Sequence, residues 1–442
     1  MSNKKQSITE IRLGLLGLGT VGSGVVKILR AKAGAIRRQT GISLVLEKVC
    51  VRSLSKKRAV SVSRKVLTTH PKELLNNPSI NIFIELAGGV HPAKELIQKA
   101  LSGGKHVVTA NKALLAEAGD SLFDLATKKN RSLGLEASVC GGIPIIRAIT
   151  GGLATDDISH FLGIVNGTCN HILTAMSERG MEFETALKEA QAHGYAETDP
   201  RLDIDGIDSA HKLAILAHLA FHSQIPFRSI HIEGIRKISA TDIRYAKELG
   251  YVVKLLAIGK RKYTAPRHST GQALELRVHP TLLPLDHPLA SVRGVYNAVF
   301  LHGRDAGDQL FYGRGAGQMP TATAVMSDIL DIAKDIRAGN SSVLTPAVTK
   351  EKILPMESIR SQYYLRFQVA DKPGVLGMIA KILGQHHISI MSVHQKESRD
   401  AKSVPVVILT YEASEKNLQA ALKLIDAKKD IAEKTALIRI EG

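Results

Sequence analysis

Ile11-Arg-Leu-Gly-Leu-Leu-Gly-Leu-Gly-Thr-Val-Gly22 decides the fold of this chain. An apolar run leads into glycines spaced Gly17-x-Gly19-x-x-Gly22, and helical periodicity follows from Val21 to Lys32. A strand that ends in such a loop and opens a helix suits a dinucleotide. The first glycine permits the tight turn, the second admits a pyrophosphate to the backbone, and the third lets helix and strand pack closely. The helix N-terminus then points unpaired N–H groups at the phosphates. Gly17, Gly19, Thr20, Val21 and Gly22 are therefore candidate cofactor contacts. Lysines precede the apolar run, but its shortness and its glycines read as a first strand rather than a secretory signal.

Outward from this loop, short apolar segments alternate with amphipathic ones. Strands are predicted at 11–16, 43–51, 81–86, 106–109 and 133–139, with helices at Val21 to Lys32, Pro92 to Leu101 and Ala113 to Lys129. That alternation predicts an α/β unit over 1–150, a Rossmann-type parallel sheet with helices on both faces. The end of the second strand reads the cofactor. An NAD enzyme places Asp or Glu there for the ribose 2′-hydroxyl. Here the strand ends in Arg52-Ser53, followed by Lys56, Lys57 and Arg58, while Glu47 comes several residues too early. Arg52 on the adenine, with Ser53 and Lys56 or Lys57 at a 2′-phosphate, makes NADP the expected cofactor and NAD the alternative.

The 442 residues call for two or three domains. Hydrophobic residues at 44% and charged residues at 23% are ordinary for a globular protein, and no apolar run reaches the roughly 18 residues of a membrane span. Cys50, Cys140 and Cys169 show no Cys-x-x-Cys spacing, which argues for a reducing cytoplasm and against both a disulfide framework and zinc. The 17 histidines show no i, i+4 pair beside a carboxylate with the look of a metal site. The net charge of +18 raises the question of nucleic acid. Its basic residues are scattered in short groups, however, and aromatics at 4% are too sparse for a stacking platform. Attraction of a phosphorylated cofactor accounts for the charge, and neither a nucleic-acid nor a membrane partner is expected.

Residues 151–319 read as a second, mixed α+β domain for substrate binding and oligomerisation. Its helices are expected at about 170–193, 206–222 and 240–250, and its strands at 158–165, 251–258, 274–278 and 295–301. The polar stretch 338–362, with Gly339-Asn-Ser-Ser342, Pro346 and Pro355, reads as a linker. Beyond it, 363–442 follows a βαββαβ order, which predicts a ferredoxin-like unit.

The densest chemistry lies in Gly194-Tyr-Ala-Glu-Thr-Asp-Pro-Arg-Leu-Asp-Ile-Asp-Gly-Ile-Asp-Ser-Ala-His-Lys212. Glu197, Asp199, Asp203, Asp205 and Asp208 crowd a turn-rich loop, and Lys212 follows at the mouth of an apolar helix. A helix starting near Asp205 sets Asp208 and Lys212 at i and i+4 on one face. A lysine entering the interior beside carboxylates is placed for proton transfer rather than for a solvated ion pair. Lys112, at the carboxyl end of the strand His106-Val-Val-Thr109, lies at the edge where such sheets bind ligands.

Ala190, Gly194-Tyr195-Ala196, Asp199-Pro200, Asp203-Ile204, Gly206, Asp208 and Lys212 resemble the homoserine dehydrogenase pattern, as does Thr109-Ala-Asn-Lys112. The resemblance runs from residue 10 to about 340. It implies NADP-dependent interconversion of L-homoserine and L-aspartate 4-semialdehyde in threonine, methionine and isoleucine biosynthesis. Lys212 would be the proton donor, Lys112 a second positive charge and Asp208 a further catalytic group, with Glu197, Asp203 and Asp208 on the substrate. Thr109, Lys112, Gly194 and Gly317 would lie at the cofactor, and Asn166-Gly-Thr-Cys-Asn170 near the nicotinamide, with Thr168 or Asn170 as the helix cap. The resemblance also implies a sodium or potassium ion held by Glu136 and by the backbone of Val139, Gly141 and Ile143. A helix at about 320–337 would return to pack on the first domain. Asp371-Lys-Pro-Gly-Val-Leu-Gly-Met-Ile-Ala-Lys-Ile-Leu383 resembles the opening of an ACT domain, which implies pairing across subunits of a dimer or tetramer and a regulatory amino acid, threonine being favoured.

Two other classes compete. A 2-hydroxy acid dehydrogenase with an ACT domain carries its glycine loop mid-chain and a His-Glu pair, whereas here the loop is at residue 17 and the acids lead to a lysine. A non-enzymatic amino-acid-sensing regulator needs neither Lys112 nor Lys212 and would carry a DNA-binding element.

Overall fold

The computed structural model describes residues 8–263, 272–340, 348–395 and 403–442. Its first sheet has six parallel strands in the order Leu67–Thr68, Ile42–Cys50, Thr9–Leu16, Ile82–Glu85, His106–Thr109, Leu133–Gly134. The order reverses between Thr9–Leu16 and Ile82–Glu85, so a crevice opens at their carboxyl ends, where the glycine loop emerges. Leu13, Leu15, Ile82, Ile84, Val107 and Val108 are fully buried, as strands covered on both faces require.

The helix Gln318–Ala338 returns from far along the chain to cross Thr20–Thr40. Glycine is required at the crossing, since a Cβ on Gly24 would come within 2.8 Å of both Ala322 Cβ and the Gln318 carbonyl. The strand expected at 133–139 stops at Gly134 because Glu136 turns away, its N–H donating to Asp328 on the returning helix at 3.0 Å.

The second sheet is larger and mixed. Its strands run Gly307–Arg314, Tyr296–Gly303, Ile158–Ile164, Tyr251–Tyr263, Gln272–Pro284, Ala436–Ile440, Arg360–Val369, Val404–Thr410, Ile390–Gln395. The strand Gly307–Arg314 was not anticipated. It is an edge strand whose alternating exposure leaves Leu310 and Tyr312 in solvent. The single helix expected over 170–193 is two, Gly167–Arg179 and Phe183–Ala192, separated where Gly180 adopts a left-handed conformation at φ 65°.

The last four strands form the ferredoxin-like unit with the helices Val375–Gln385 and Glu415–Asp426. This unit is not a bead on a string. Thr281 and Leu282 pair in parallel with Arg439 and Ile440, so one sheet runs through both units. Ser341, Ser342 and Pro346 of the expected linker lie outside the described residues. The remainder is docked: Thr349 bridges Ser223, Lys352–Ile353 pairs with Gln272–Pro284, and the next strand already begins at Arg360. The reading of 338–362 as a spacer thus fails for its described second half, because its polar residues spend their backbone groups on a neighbouring strand.

Buried ion pairs seal the junction. Arg439, 2% exposed, donates to Glu415 at 2.7 and 2.9 Å and to Glu233 at 3.0 and 3.1 Å. Glu441 accepts from Arg277 and Lys260, and Arg366 donates to Asp242 at 2.7 Å. Burial alone would raise the Glu441 pKa, but Arg277 and Lys260 outweigh it and hold it at about 2. Its stabilising contribution is therefore complete above the unfolded-state value near about 4.3 and is lost as pH falls toward about 2. Glu441→Ala should cost about 3–5 kcal/mol at neutral pH, since it leaves Arg277 buried beside the more distant Glu275. Thermal denaturation between pH 7 and 3 checks this: the gap between variant and parent should narrow with acid, and a gap constant in pH would refute it.

Candidate active site

The glycine loop carries its three roles in its geometry. Gly17 has φ 99°, and a Cβ there would come within 2.6 Å of the Leu86 carbonyl; one on Gly22 would come within 2.2 Å of the Gly17 carbonyl. Gly19, the helix cap, meets nothing within 4 Å, so its face is open to a ligand. The cavity over it, about 630 Å³, is lined by Gly17, Gly19 and Thr20 on one side and by Arg52, Ser53, Lys56, Lys57 and Arg58 on another. Val21 and Gly22 continue into the helix below. Glu47 sits inside its strand and pairs with Arg12 at 2.6 Å, which removes it from the ribose position.

The loop Leu86-Ala87-Gly88, which also lines the cavity, was not anticipated. Buried Glu85 shapes it by accepting the N–H groups of Ala87 and Gly88 at 2.8 and 2.9 Å. Thr109 donates to the other oxygen of Glu85 at 2.8 Å and is itself fully buried. Its side chain therefore acts beneath the cofactor cavity rather than on its wall. Gln318, also unforeseen, reaches the cavity from the start of the returning helix. The only sequence signal for it was its place one residue after Gly317, which has φ 122° and caps that helix. The neighbouring glycines serve packing: a Cβ on Gly315 would overlap the Asn297 amide, and Gly142 donates to the Arg314 carbonyl at 2.9 Å.

At the junction of the two sheets, the helix Ile207–Phe221 presents Asp208 and Lys212 side by side, 4% and 8% exposed. Lys212 Nζ donates to Asp208 Oδ2 at 2.7 Å and to the Val165 carbonyl at 2.6 Å. Lys112, first residue of the helix Lys112–Lys128, crosses from the first domain to ion-pair with Asp208 Oδ1. Asn166 completes the group. Its Oδ1 caps the helix Gly167–Arg179 through the Cys169 N–H at 2.8 Å, and its Nδ2 donates to Asp203 at 2.7 Å and Asp208 at 2.8 Å. The cap is thus Asn166, not Thr168 or Asn170, because the helix begins at Gly167. Thr168 instead donates to the Tyr195 carbonyl at 2.6 Å, and Asn170 to the carbonyls of Val292, Gly294 and Tyr296.

Burial alone would raise the Asp208 pKa, yet Lys212 and Lys112 hold it well below the carboxylate range. Burial pulls the Lys212 pKa down, but Asp208 outweighs it and the amine ends above its ordinary value. Asp203 is pushed up, by burial first. Of the five loop acids only Asp203 and Asp208 converge on the lysines. Asp199 pairs with Arg201 and Asp205 with Arg236 toward solvent, while Glu197 is exposed, its carbonyl accepting from Gln191. Gly194, φ 72° and exposed, turns the chain into this loop.

Glu136 is 3% exposed, and its two oxygens accept the N–H groups of Ile146 and Arg147 at 3.0 Å. Beside it, burial and Glu136 push Asp328 up to about 7. Glu136, Asp328 and the more exposed Asp331 thus share the one guanidinium of Arg147, an excess of carboxylates over cations. A cavity of about 430 Å³ reaches Glu136, Gly141 and Ile143, whereas Val139 is fully buried behind them.

The comparisons with known proteins cover the whole chain. The family model "Homoserine dehydrogenase, NAD binding domain" matches residues 17–136, "Homoserine dehydrogenase" matches 144–330, and "ACT domain" matches 363–430. A homoserine dehydrogenase of Neisseria gonorrhoeae is 44% identical over 438 residues, 98% of this chain and 99% of that protein. The solved homoserine dehydrogenase of Thiobacillus denitrificans superposes with a TM-score of 0.92 at 42% identity, covering 99% of each chain. A hyperthermophilic archaeal homoserine dehydrogenase solved with NADPH superposes at 0.64 with 27% identity, over 76% of this chain and all of that one.

Asp208→Asn should leave Lys212 buried with only the weaker attraction of Asp203 among the loop acids. Its pKa should then drop below the free-lysine value, as burial dictates. Nitrogen-15 NMR titration of the lysine ammonium groups reads this directly, and an unshifted Lys212 would show that Asp208 does not set its charge.

Proposed function

The chain belongs to the homoserine dehydrogenase family, and from that premise we propose that it interconverts L-homoserine and L-aspartate 4-semialdehyde with NADP as the preferred cofactor. The observation that carries the reading is the buried Asp208 shared by Lys212 and Lys112 at the seam of the two domains. A bound nicotinamide supplies or accepts the hydride at the carbon bearing the oxygen. Lys212 holds the proton that the developing alkoxide needs, and its amine is anchored by Val165 so that one N–H remains to aim at the substrate. Lys112 adds the second positive charge that stabilises oxygen-centred negative charge. Asp203 and Asp208 bind the polar end of the substrate, and Glu197 joins them for its ammonium group if the exposed loop folds inward on binding.

NADP preference is supported by Arg52, Ser53, Lys56 and Lys57 on the cavity wall and by the pairing of Glu47 elsewhere. Thr109, Gly194 and Gly317 would contribute through backbone groups near the cofactor. A sodium or potassium ion held by Glu136 with the carbonyls of Val139, Gly141 and Ile143 fits the excess of carboxylates beside Arg147. The activity belongs to the synthesis of threonine, methionine and isoleucine, and the ACT domain would report threonine back to the catalytic unit. Both ends of the large sheet are edge strands with exposed apolar residues, Leu310 and Tyr312 at one and Met391 and Val393 at the other, which suits pairing in a homo-oligomer. The chain would then work in the cytoplasm as a dimer or tetramer.

The test is spectrophotometric: NADPH oxidation with aspartate semialdehyde, repeated with threonine. Lys212→Ala should lower turnover by at least about two orders of magnitude and leave cofactor affinity nearly unchanged. Near-parental turnover would pass the proton-donor role to Lys112. Arg52→Glu should weaken NADPH by about 1.5–3 kcal/mol and NADH far less. Equal losses on the two cofactors would show that Arg52 does not read the phosphate.

A further inference from the structure

Helices Gly167–Arg179 and Phe183–Ala192 bring together side chains that stand apart in sequence and that the proposed reaction does not use. His171 from the first faces Glu189 and His193 from the end of the second, and one ligand atom from each lies within 4.8 Å of the others. His171 Nε2 is 3.7 Å from Glu189 Oε1, and His193 Nδ1 is 3.9 Å from the same oxygen. Ligands around tetrahedral zinc stand about 3.3 Å apart, so the two gaps to Glu189 need to close by about half an ångström and the gap between the imidazoles by at most about 1.5 Å, within reach of side-chain rotation, to make a three-ligand site with a fourth position for water. His171 Nε2 is buried and has no hydrogen-bond partner among the described residues, a cost that a metal bond would remove.

We propose that His171, Glu189 and His193 form a binding site for a divalent transition metal, zinc above all, that braces the entrance to the acid loop. Two imidazoles and one carboxylate are a donor set that zinc accepts and that magnesium and calcium avoid. Arg179 now grips Glu189 at 2.6 and 2.9 Å. Its side chain is half exposed, so the guanidinium can withdraw from Oε1 as the metal arrives. The site touches the loop directly. The Tyr195 ring packs 4.9 Å from His171 and 5.8 Å from His193, and the Tyr195 carbonyl accepts from Thr168 at the start of the same helix as His171. A bound ion would therefore fix Gly194-Tyr195-Ala196 in the position from which Asp203 and Asp208 are carried. Glu189 and His193 stand i, i+4 at the end of one helix, but His171 joins them only through the pairing of two helices, which left the site invisible in the sequence.

Full-length protein stripped with a chelator and titrated with zinc against a chromophoric competitor tests the site. About one equivalent should bind with a dissociation constant below about 10 µM, and the thermal midpoint should rise with zinc concentration. His193→Asn, at an exposed position, and His171→Gln should each weaken zinc at least about tenfold. Metal-free dehydrogenase activity of His193→Asn should match the parent, which separates loss of the site from loss of the fold. Failure of the parent to bind zinc, or equal binding by parent and both variants, would overturn the proposal, and neither result bears on the dehydrogenase reading.

Discussion

One carboxylate, Asp208, gathers charge from both halves of the catalytic unit. One of its oxygens takes Lys212 from its own helix, and the other takes Lys112 from the first domain. Buried charges are tolerated only when paired and hydrogen-bonded, and Asp208 and Lys212 meet that condition through each other, Asn166 and the Val165 carbonyl. Asn166 adds a neutral donor to the same carboxylate while its carbonyl starts a helix, so the geometry of the second domain is tied to the charge balance of the seam. A lysine in this setting stays protonated although it is out of water. That is the property the proposed proton-donor role requires.

Much of this was legible in the chain. Gly17-x-Gly19-x-x-Gly22 after an apolar strand pointed to the parallel sheet, and the structure shows a steric demand for glycine at Gly17 and Gly22 and an open face at Gly19. The i, i+4 relation of Asp208 and Lys212 followed from helix periodicity alone. What escaped were contacts between segments distant in sequence. Glu85 looked like any strand end, yet it shapes the Leu86-Ala87-Gly88 wall of the cofactor cavity. The crowding of five acids also overstated the site, since Asp199 pairs with Arg201 two residues on and Asp205 with the distant Arg236, both toward solvent.

The C-terminal unit shows the same limit on a larger scale. Its βαββαβ order was readable because strand and helix periods are local. Its attachment was not, because parallel pairing of Thr281 and Leu282 with Arg439 and Ile440 joins residues more than 150 positions apart. A polar stretch with prolines reads as a spacer, yet a chain can dock such a stretch when a neighbouring strand offers unpaired backbone groups.

That attachment bears on how the C-terminal unit and the acid loop could be coupled. Arg439 of the last strand grips Glu233, and the Glu233 N–H donates to Val278 in the shared sheet. The next residue, Gly234, lies so close beneath Ile204 and Asp205 that a Cβ there would approach the Ile204 carbonyl to 2.1 Å. The Ile235 N–H donates to that same carbonyl at 2.8 Å, and Asp203, Asp205 and Asp208 surround it in sequence. Three residues thus connect a buried arginine of the C-terminal unit to the backbone of the acid loop, with no compressible space between. An effector can shift activity only by binding two states unequally. In this fold a change in how the last strand sits would be passed to the loop by direct steric contact, not by a flexible tether.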